Sequence, residues 1–295
     1  MKMKQKRFFW LVLLIGFSLS GQIKGVVVDA NNQPISYVNI TVENENTGTT
    51  SEENGEFSVS VSEQNKELIF SAMGYETLKL AAADTKKVVM SAAIYKLNEV
   101  IVTKPKRTKE VEVGNSKNRY YLPEPQTAPW ILAKNINRDT INKDISHIKN
   151  LIFFTNSEVE GASFRARIYR IAKDGLPGID MISESIIVKT KKGKHKTIVD
   201  VSSYDIEMPK EGIIVGFESL LIDSNKYMEK AGIINSKKTI YILNYGPHIM
   251  YTNSDLEESY TFRAGKWTKQ RFSMYINQKT KSKVISPAIN VTLTN

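Results

Sequence analysis

Residues 21–61 read GQIKGVVVDANNQPISYVNITVENENTGTTSEENGEFSVSV, and this stretch decides the fold. Ile23, Gly25 and Val27 alternate with Lys24, Val26 and Val28, the period of two that places successive side chains on opposite faces of a strand. Asp29-Ala-Asn-Asn-Gln-Pro34 is a turn. Ile35 to Val42 alternates again, with Val38, Ile40 and Val42 on one face. Asn46-Thr-Gly48 turns the chain. Asn54-Gly55 is a tight-turn signal, because both residues tolerate positive φ. Phe57, Val59 and Val61 resume the alternation, and Leu68, Phe70 and Ala72 then Val88, Val89 and Met90 add further short strands. Short strands at this spacing, with turn residues between them, predict an antiparallel β-sandwich over residues 22–102.

Upstream, residues 1–20 read MKMKQKRFFWLVLLIGFSLS. Lys2, Lys4, Lys6 and Arg7 form a basic head, Phe8 to Leu19 an apolar run, and Ser18 and Ser20 sit at the small-residue positions of a cleavage site. A signal peptide cut before Gly21 is expected. The run falls short of the roughly 20 apolar residues a bilayer span takes, and no later stretch is long and apolar enough for a transmembrane helix. No Cys occurs, so thiolate metal sites, Cys nucleophiles, disulfides and a lipid anchor on cysteine are excluded. The formal charge is +10, and removing the four charges of residues 1–20 leaves 10 − 4 = +6. That mildly basic balance suits anionic envelope surfaces such as phosphorylated glycolipid or acidic glycan. With export, it argues against nucleic acid.

Residues 103–129, TKPKRTKEVEVGNSKNRYYLPEPQTAP, carry Pro105, Pro123, Pro125 and Pro129. Lys104, Lys106, Arg107, Lys109, Lys117 and Arg119 concentrate positive charge there, with little apolar periodicity. This is a linker composition. Beyond it, residues 130–295 are expected to form a second β-sandwich. Ser163 to Ile171 alternates, Asp174-Gly175 and Pro177-Gly178 turn, and Ile213 to Leu221 is apolar enough for a central strand. Ser185–Lys189 and Thr197–Val201 flank Lys191-Lys192-Gly193-Lys194-His195-Lys196, which reads as a hairpin with a basic, solvated tip. Lys238 to Leu243, Tyr260 to Arg263, Phe272 to Ile276 and Ile289 to Leu293 complete the strands. No stretch holds a long helical period, so the chain is read as all-β.

The motifs of the first module carry a family resemblance. The opening Ile23-Lys-Gly25-Val-Val27, Pro34 before a strand, Asn54-Gly55-Glu-Phe57, Ser71-Ala-Met-Gly74-Tyr75-Glu76 and the closing Leu97-Asn-Glu99-Val100-Ile-Val102 resemble the carboxypeptidase regulatory-like domain. That resemblance implies a transthyretin-like β-sandwich. Ser51-Glu52-Glu53 departs from it, since an Asp commonly precedes the turn glycine. In exported proteins of gram-negative bacteria such a module often precedes the plug of a TonB-dependent receptor, and Leu97–Thr103 looks like that junction. The remaining chain is too short for the receptor's barrel. The order FRARIY, Pro-Gly turn, IVDVS, IIVGFE, TFRAGKW over 130–295 resembles jelly-roll-like sandwiches appended to secreted bacterial proteins, including carbohydrate-binding ones.

Catalytic patterns are missing. A zinc carboxypeptidase needs His-x-x-Glu and a further His. His147, His195 and His248 begin no such motif, and we expect them on the surface or in loops. Gly161-Ala-Ser163-Phe lacks the second glycine of a hydrolase elbow, and the glycine-rich phosphate loops are absent. Asp200, Asp205, Glu207 and Glu218 lie in or near strands. Two of them meeting in space would serve glycoside chemistry, although solvent-facing strand positions are the simpler reading. Tyr260, Phe262 and Trp267 offer aromatic surface that could stack on sugar rings, and Tyr260 and Trp267 are the candidate ligand-binding residues. Strand alternation equally puts Tyr260 and Phe262 in a core. The run Lys279-Thr-Lys281-Ser-Lys283 is read as solvated. Three functions follow: a non-catalytic envelope protein acting through protein contacts, a carbohydrate-binding protein using residues 130–295, or an unrecognised hydrolase. No metal or cofactor is expected, and the partner is an envelope protein or a glycan. The expected place is the periplasm, or the outer membrane or cell surface.

Overall fold

The computed structural model describes residues 21–63, 65–93, 109–114, 116–122, 125–138, 145–232, 239–254, 259–274 and 283–295. The expected signal peptide, the closing motif Leu97–Val102 and most of the Lys279–Lys283 run lie outside them. Among the described residues helix is limited to three single turns, at Ala82–Asp84, Ser202–Tyr204 and Asp223–Asn225. The rest is strand and turn, so the protein is all-β. No helix among these residues is long and apolar enough to cross a membrane.

The first body is a seven-stranded sandwich. Its strands are β1 (Gly21–Val28), β2 (Asn39–Val42), β3 (Gly48–Thr50), β4 (Glu56–Val61), β5 (Glu67–Ser71), β6 (Leu78–Ala81) and β7 (Lys87–Val89). One sheet runs β4-β1-β7, with β7 parallel to β1, and the other runs β3-β2-β5-β6, entirely antiparallel. The alternation in the sequence becomes the packing. Phe57, Val59 and Val61 of β4 point inward, and Val27, Val38, Ile40, Leu68, Phe70, Val88 and Met90 meet them in one core. Phe57 and Phe70 pack edge to face at 5.6 Å between centroids. The β3–β4 connection depends on Gly55. Its φ is +79°, and a Cβ there would stand 2.5 Å from the Val27 carbonyl oxygen, a position open only to glycine. Asn54 Oδ1 accepts from the Glu56 amide at 3.0 Å, closing the turn. Asp29 Oδ1 does the same upstream, accepting from the amides of Asn31 and Gln33.

The second body takes in the stretch read as a linker. Within 103–129 lie β8 (Glu110–Val113) and β9 (Arg119–Tyr120). Both are edge strands and short: β8 alternates only over Glu110-Val111-Glu112-Val113 and β9 is two residues long, so neither stands out from the charged, Pro-containing sequence around it. There follow β10 (Ile131–Ile136), β11 (His147–Ser157), β12 (Ser163–Ile171), β13 (Pro177–Asp180), β14 (Ile186–Lys189), β15 (Gly193–Asp200), β16 (Ile213–Ser219), β17 (Lys226–Gly232) and β18 (Thr239–Tyr245). The last are β19 (His248–Ile249), β20 (Tyr251–Asn253), β21 (Ser259–Arg263), β22 (Lys266–Gln270), β23 (Phe272–Met274), β24 (Lys283–Pro287) and β25 (Ile289–Thr294).

One sheet is ordered β13-β12-β16-β10-β21-β22 with β14 also on β12. The facing sheet is β15-β11-β25-β8 with β19 on β11. Successive long strands cross from one sheet to the other (β10, β11, β12, β15, β16), which gives the jelly-roll-like sandwich. Smaller units, β23-β24-β20-β9 and the hairpin β17-β18, complete the body. The core between the two large sheets is separate from that of the first body and contains Phe153, Phe164 and Phe217. The Phe164 and Phe217 rings stack at 4.5 Å, with Phe153 edge-on to Phe164 at 4.9 Å. All seven residues of β16 are buried, as its apolar run implies for a central strand.

One expected element is absent. Residues 185–201 do not form a hairpin: β14 pairs with β12 and β15 pairs with β11, in opposite sheets. The basic stretch therefore crosses the sandwich edge. Val188 fits the apolar core from one sheet and Val199 from the other, and burying both in this way outweighs pairing the segments locally.

Candidate functional site

Strand β12 alternates as expected, with Phe164, Ala166, Ile168 and Arg170 on one face and Arg165, Arg167, Tyr169 and Ile171 on the other. Both are buried over most of their length, because the face carrying Arg165 and Arg167 is largely covered. Arg165 is 2% exposed and Glu218, its neighbour on β16, is 0% exposed. Arg165 Nη1 donates to Glu218 Oε1 at 2.7 Å, and Arg167 Nε donates to Glu218 Oε2 at 2.6 Å. Arg167 Nη1 also donates to Asp180 Oδ2 at 3.1 Å. Two guanidinium and two carboxylate groups thus share one dry volume. Burial pushes the Glu218 carboxyl up, but the two guanidinium groups overcome it and hold it below the usual carboxylate range. Burial dominates at Asp180, whose carboxyl is pushed up to about 6 against the pull of Arg167. The expectation that Glu218 is a solvent-facing strand residue is thereby corrected.

The lid on this cluster comes from the first body. Asn39 Nδ2 donates to Glu218 Oε1 at 2.6 Å, and the Tyr37 carbonyl accepts from Arg165 Nη2 at 2.7 Å. Tyr37 has φ +58°, a left-handed conformation that is unusual for an aromatic residue and carries strain; in it the carbonyl reaches Arg165. Further contacts extend the junction. The Leu221 amide donates to Thr50 Oγ1 at 3.0 Å, the Asp223 amide to Glu52 Oε1 at 2.8 Å, and the Gly48 amide to the Thr127 carbonyl at 2.9 Å. A cleft of about 680 Å3 opens beside these contacts, with Lys24, Glu56 and Lys86 on one wall and Asp223, Lys226 and Tyr245 on the other. Its charges are mixed in sign.

The aromatic candidates divide. Tyr260 is 3% exposed and packs with Ala133, Tyr169 and Ile214 on the outer face of the β12-β16-β10-β21 sheet. Trp267 is half-buried against the same cluster, 5.3 Å from the Tyr169 ring and 5.1 Å from the Phe262 ring. The three aromatics do share a face, as alternation implies, but they cover one another and Tyr260 presents no platform. Sequence alternation assigns the face and is silent on what lies over it.

The histidines also divide. His195 is exposed on β15, and His147 is half-buried on β11, 3.9 Å from the Asp205 carboxylate. His248 was expected on the surface or in a loop and is instead 4% exposed, on β19. Tyr227 Oη lies 2.8 Å from its Nε2, Gln126 Nε2 lies 3.5 Å from its Nδ1, and the Tyr121 ring stands edge-on at 5.6 Å. Burial drives the Tyr227 and Tyr121 hydroxyls above the ordinary phenol value. This tyrosine–histidine cluster ties the hairpin β17-β18 to Tyr121 and Gln126. Its components lie far apart in sequence and no local pattern announces it. Among the described residues no group of three or more His, Cys, Asp or Glu side chains is placed to hold a metal ion.

The hairpin itself groups four of the exposed large apolar side chains among the described residues: Met228, Ile240, Tyr241 and Leu243. Met228 pairs with Leu243 and Lys230 with Tyr241, so these four side chains share a face. Met228 is 58% exposed, Tyr241 64% and Leu243 48%.

The fold of the first body, a transthyretin-like sandwich of three and four strands, defines a β-sandwich module type. Residues 23–102 match the family model of the CarboxypepD_reg-like domain, so the module at this end of the chain is a carboxypeptidase regulatory-like domain. Domains of this type are generally non-catalytic. A comparison with curated proteins gives no match to this chain.

Proposed function

We propose that this protein is a non-catalytic, exported cell-envelope protein that works by binding another protein through its second body. The observation that carries the reading is the open face of the β17-β18 hairpin. Met228, Tyr241 and Leu243 expose apolar surface side by side, flanked by Lys226 and Lys230. Among the described residues no further strand pairs with this two-stranded ribbon, and grouped exposed apolar side chains mark contact surfaces. Aromatic and Met side chains are favoured at the centre of protein interfaces. The carboxypeptidase regulatory-like domain supports the same reading. It is a module of non-catalytic type, held to the second body through Asn39, Tyr37 and Glu52, and such an arrangement gives a stiff two-body scaffold. Export rests on residues 1–20, with the mature chain starting near Gly21. The periplasm or the outer membrane is the proposed place of action.

The carbohydrate-binding alternative needs Tyr260 in an exposed stacking platform. It loses support from the burial of Tyr260 beneath Trp267 and Tyr169.

The test places a photoreactive phenylalanine at Tyr241 in the exported protein and irradiates intact cells. A discrete adduct that disappears with Met228→Glu and Leu243→Glu is expected. Labelling that is diffuse and indifferent to those substitutions overturns the proposal.

A further inference from the structure

We propose that a second surface, a basic groove between β9 and β15, binds a phosphate ester. It shares no residue with the hairpin face and does not depend on it. Two stretches set aside as solvated charge meet here: Lys117 and Arg119 from the stretch read as a linker, and Lys194 and Lys196 from the stretch read as a hairpin tip. They line one groove of about 470 Å3. Its floor includes Phe154 and Met250, members of a small apolar cluster with Ile152 and Ala288 on the outer face of the β11 sheet.

The charge in this groove is unbalanced. Four permanent cations line it, and no carboxylate does among the described residues. Lys196 is drawn to Glu112 at 3.0 Å, outside the lining. Arg119 is set in place by two neutral partners: Nη1 donates to the Ser116 carbonyl at 2.6 Å, and its guanidinium lies over the Phe154 ring at 4.4 Å. Those contacts orient the group without neutralising it. Lys117 and Lys194 have no acidic partner among the described residues. A surface that gathers like charges from two sheets, and orients one of them over an aromatic ring, concentrates positive potential in one place and attracts an anion. Guanidinium and ammonium donors around a small concave space suit tetrahedral phosphate oxygens, and a phosphomonoester carries close to two negative charges at neutral pH.

The same chemistry reaches an envelope protein as a lipid headgroup or as a soluble phosphate, and the experiment separates these. The mature chain is titrated with inorganic pyrophosphate. In parallel it is sedimented with vesicles of phosphatidylcholine, with and without phosphatidic acid. Three proteins are compared: wild type, the groove variant Lys117→Glu with Lys194→Glu, and a control carrying Lys191→Glu with Lys192→Glu, which changes charge equally outside the groove lining. All four lysines are exposed, so the fold is expected to persist, and circular dichroism with thermal unfolding checks that it does. The groove variant is expected to bind at least about tenfold more weakly and the control within about twofold of wild type, since each basic side chain at a phosphate surface contributes about fivefold. Binding to phosphatidic-acid vesicles alone identifies a headgroup, and binding of pyrophosphate alone identifies a soluble phosphate. Absence of both for wild type, or equal weakening in the groove and control variants, overturns the proposal.

Discussion

Replacing Glu218 by Gln tests whether the buried charge cluster joins the two bodies. The substitution keeps the shape of the side chain and removes its charge. Glu218 accepts three hydrogen bonds, from Arg165 Nη1, Arg167 Nε and Asn39 Nδ2, all between 2.6 and 2.7 Å. In the variant the two guanidinium groups face only Asp180, which contacts Arg167 alone, so Arg165 stays charged in a dry site with no counter-ion. Removing one partner of a buried ion pair costs about 3–5 kcal/mol. For a chain of this size each kcal/mol moves the midpoint by about 2–4 °C, so a fall of roughly 6–20 °C is expected. Trp130 and Trp267 both lie in the second body and report its urea unfolding by fluorescence. Asn39→Ala, made in the other body, removes one hydrogen bond to a charged group and is expected to cost about 1.5–3 kcal/mol in that same signal. Glu67→Gln serves as control, because the exposed Lys79–Glu67 pair is screened by solvent and its loss should leave the midpoint unchanged. A Glu218→Gln midpoint equal to that of the control would refute the reasoning. An Asn39→Ala variant with unaltered tryptophan unfolding would show that the first body does not seal the cluster.

Three further outcomes are expected. The Asp180 carboxyl, raised to about 6 in the fold from its ordinary 3.8, favours the folded state when protonated. Its contribution is full below about pH 4 and is lost as pH rises through 6. Relative to Asp180→Asn, wild type should therefore lose about 3 kcal/mol between pH 4 and 7 in urea titrations, and parallel pH profiles would exclude this. Lys134 is pulled down to about 8 by burial, with Nζ donating to the Ile289 carbonyl at 3.2 Å. Its contribution is present above about pH 10.5 and lost as pH falls through 8, so Lys134→Met should stabilise the protein by about 1–3 kcal/mol at pH 7, with the gain fading by pH 10. Gly55→Ala forces a Cβ into a left-handed turn against the Val27 carbonyl and should destabilise the first body by about 1–3 kcal/mol, read by calorimetry.

The sequence by itself determined the elements whose physics is local. Period-two alternation in Ile23–Val28, Val38–Val42 and Phe57–Val61 named the inward side chains of the first sandwich, and Asn54-Gly55 placed its tightest turn, because φ preference and alternation are properties of neighbouring residues. The unbroken apolar run Ile213–Leu221 likewise announced a central strand. Tertiary structure alone decided the rest. Edge strands β8 and β9 carry charged side chains and take their order from β25 and β20, so composition made them a linker. Residues 185–201 look like a hairpin locally, yet their two strands join opposite sheets because Val188 and Val199 are buried from opposite sides. Glu218 reads as an ordinary solvent-facing strand residue until Tyr37 and Asn39, more than a hundred positions away, close over it and Arg165. Alternation puts Tyr260 and Phe262 on one face, but Trp267 and Tyr169 determine that Tyr260 is covered there. The groove of Lys117, Arg119, Lys194 and Lys196 exists only because two segments distant in sequence, in different sheets, border one space; charge is visible in a sequence, whereas its concentration in one place depends on how the chain folds back on itself.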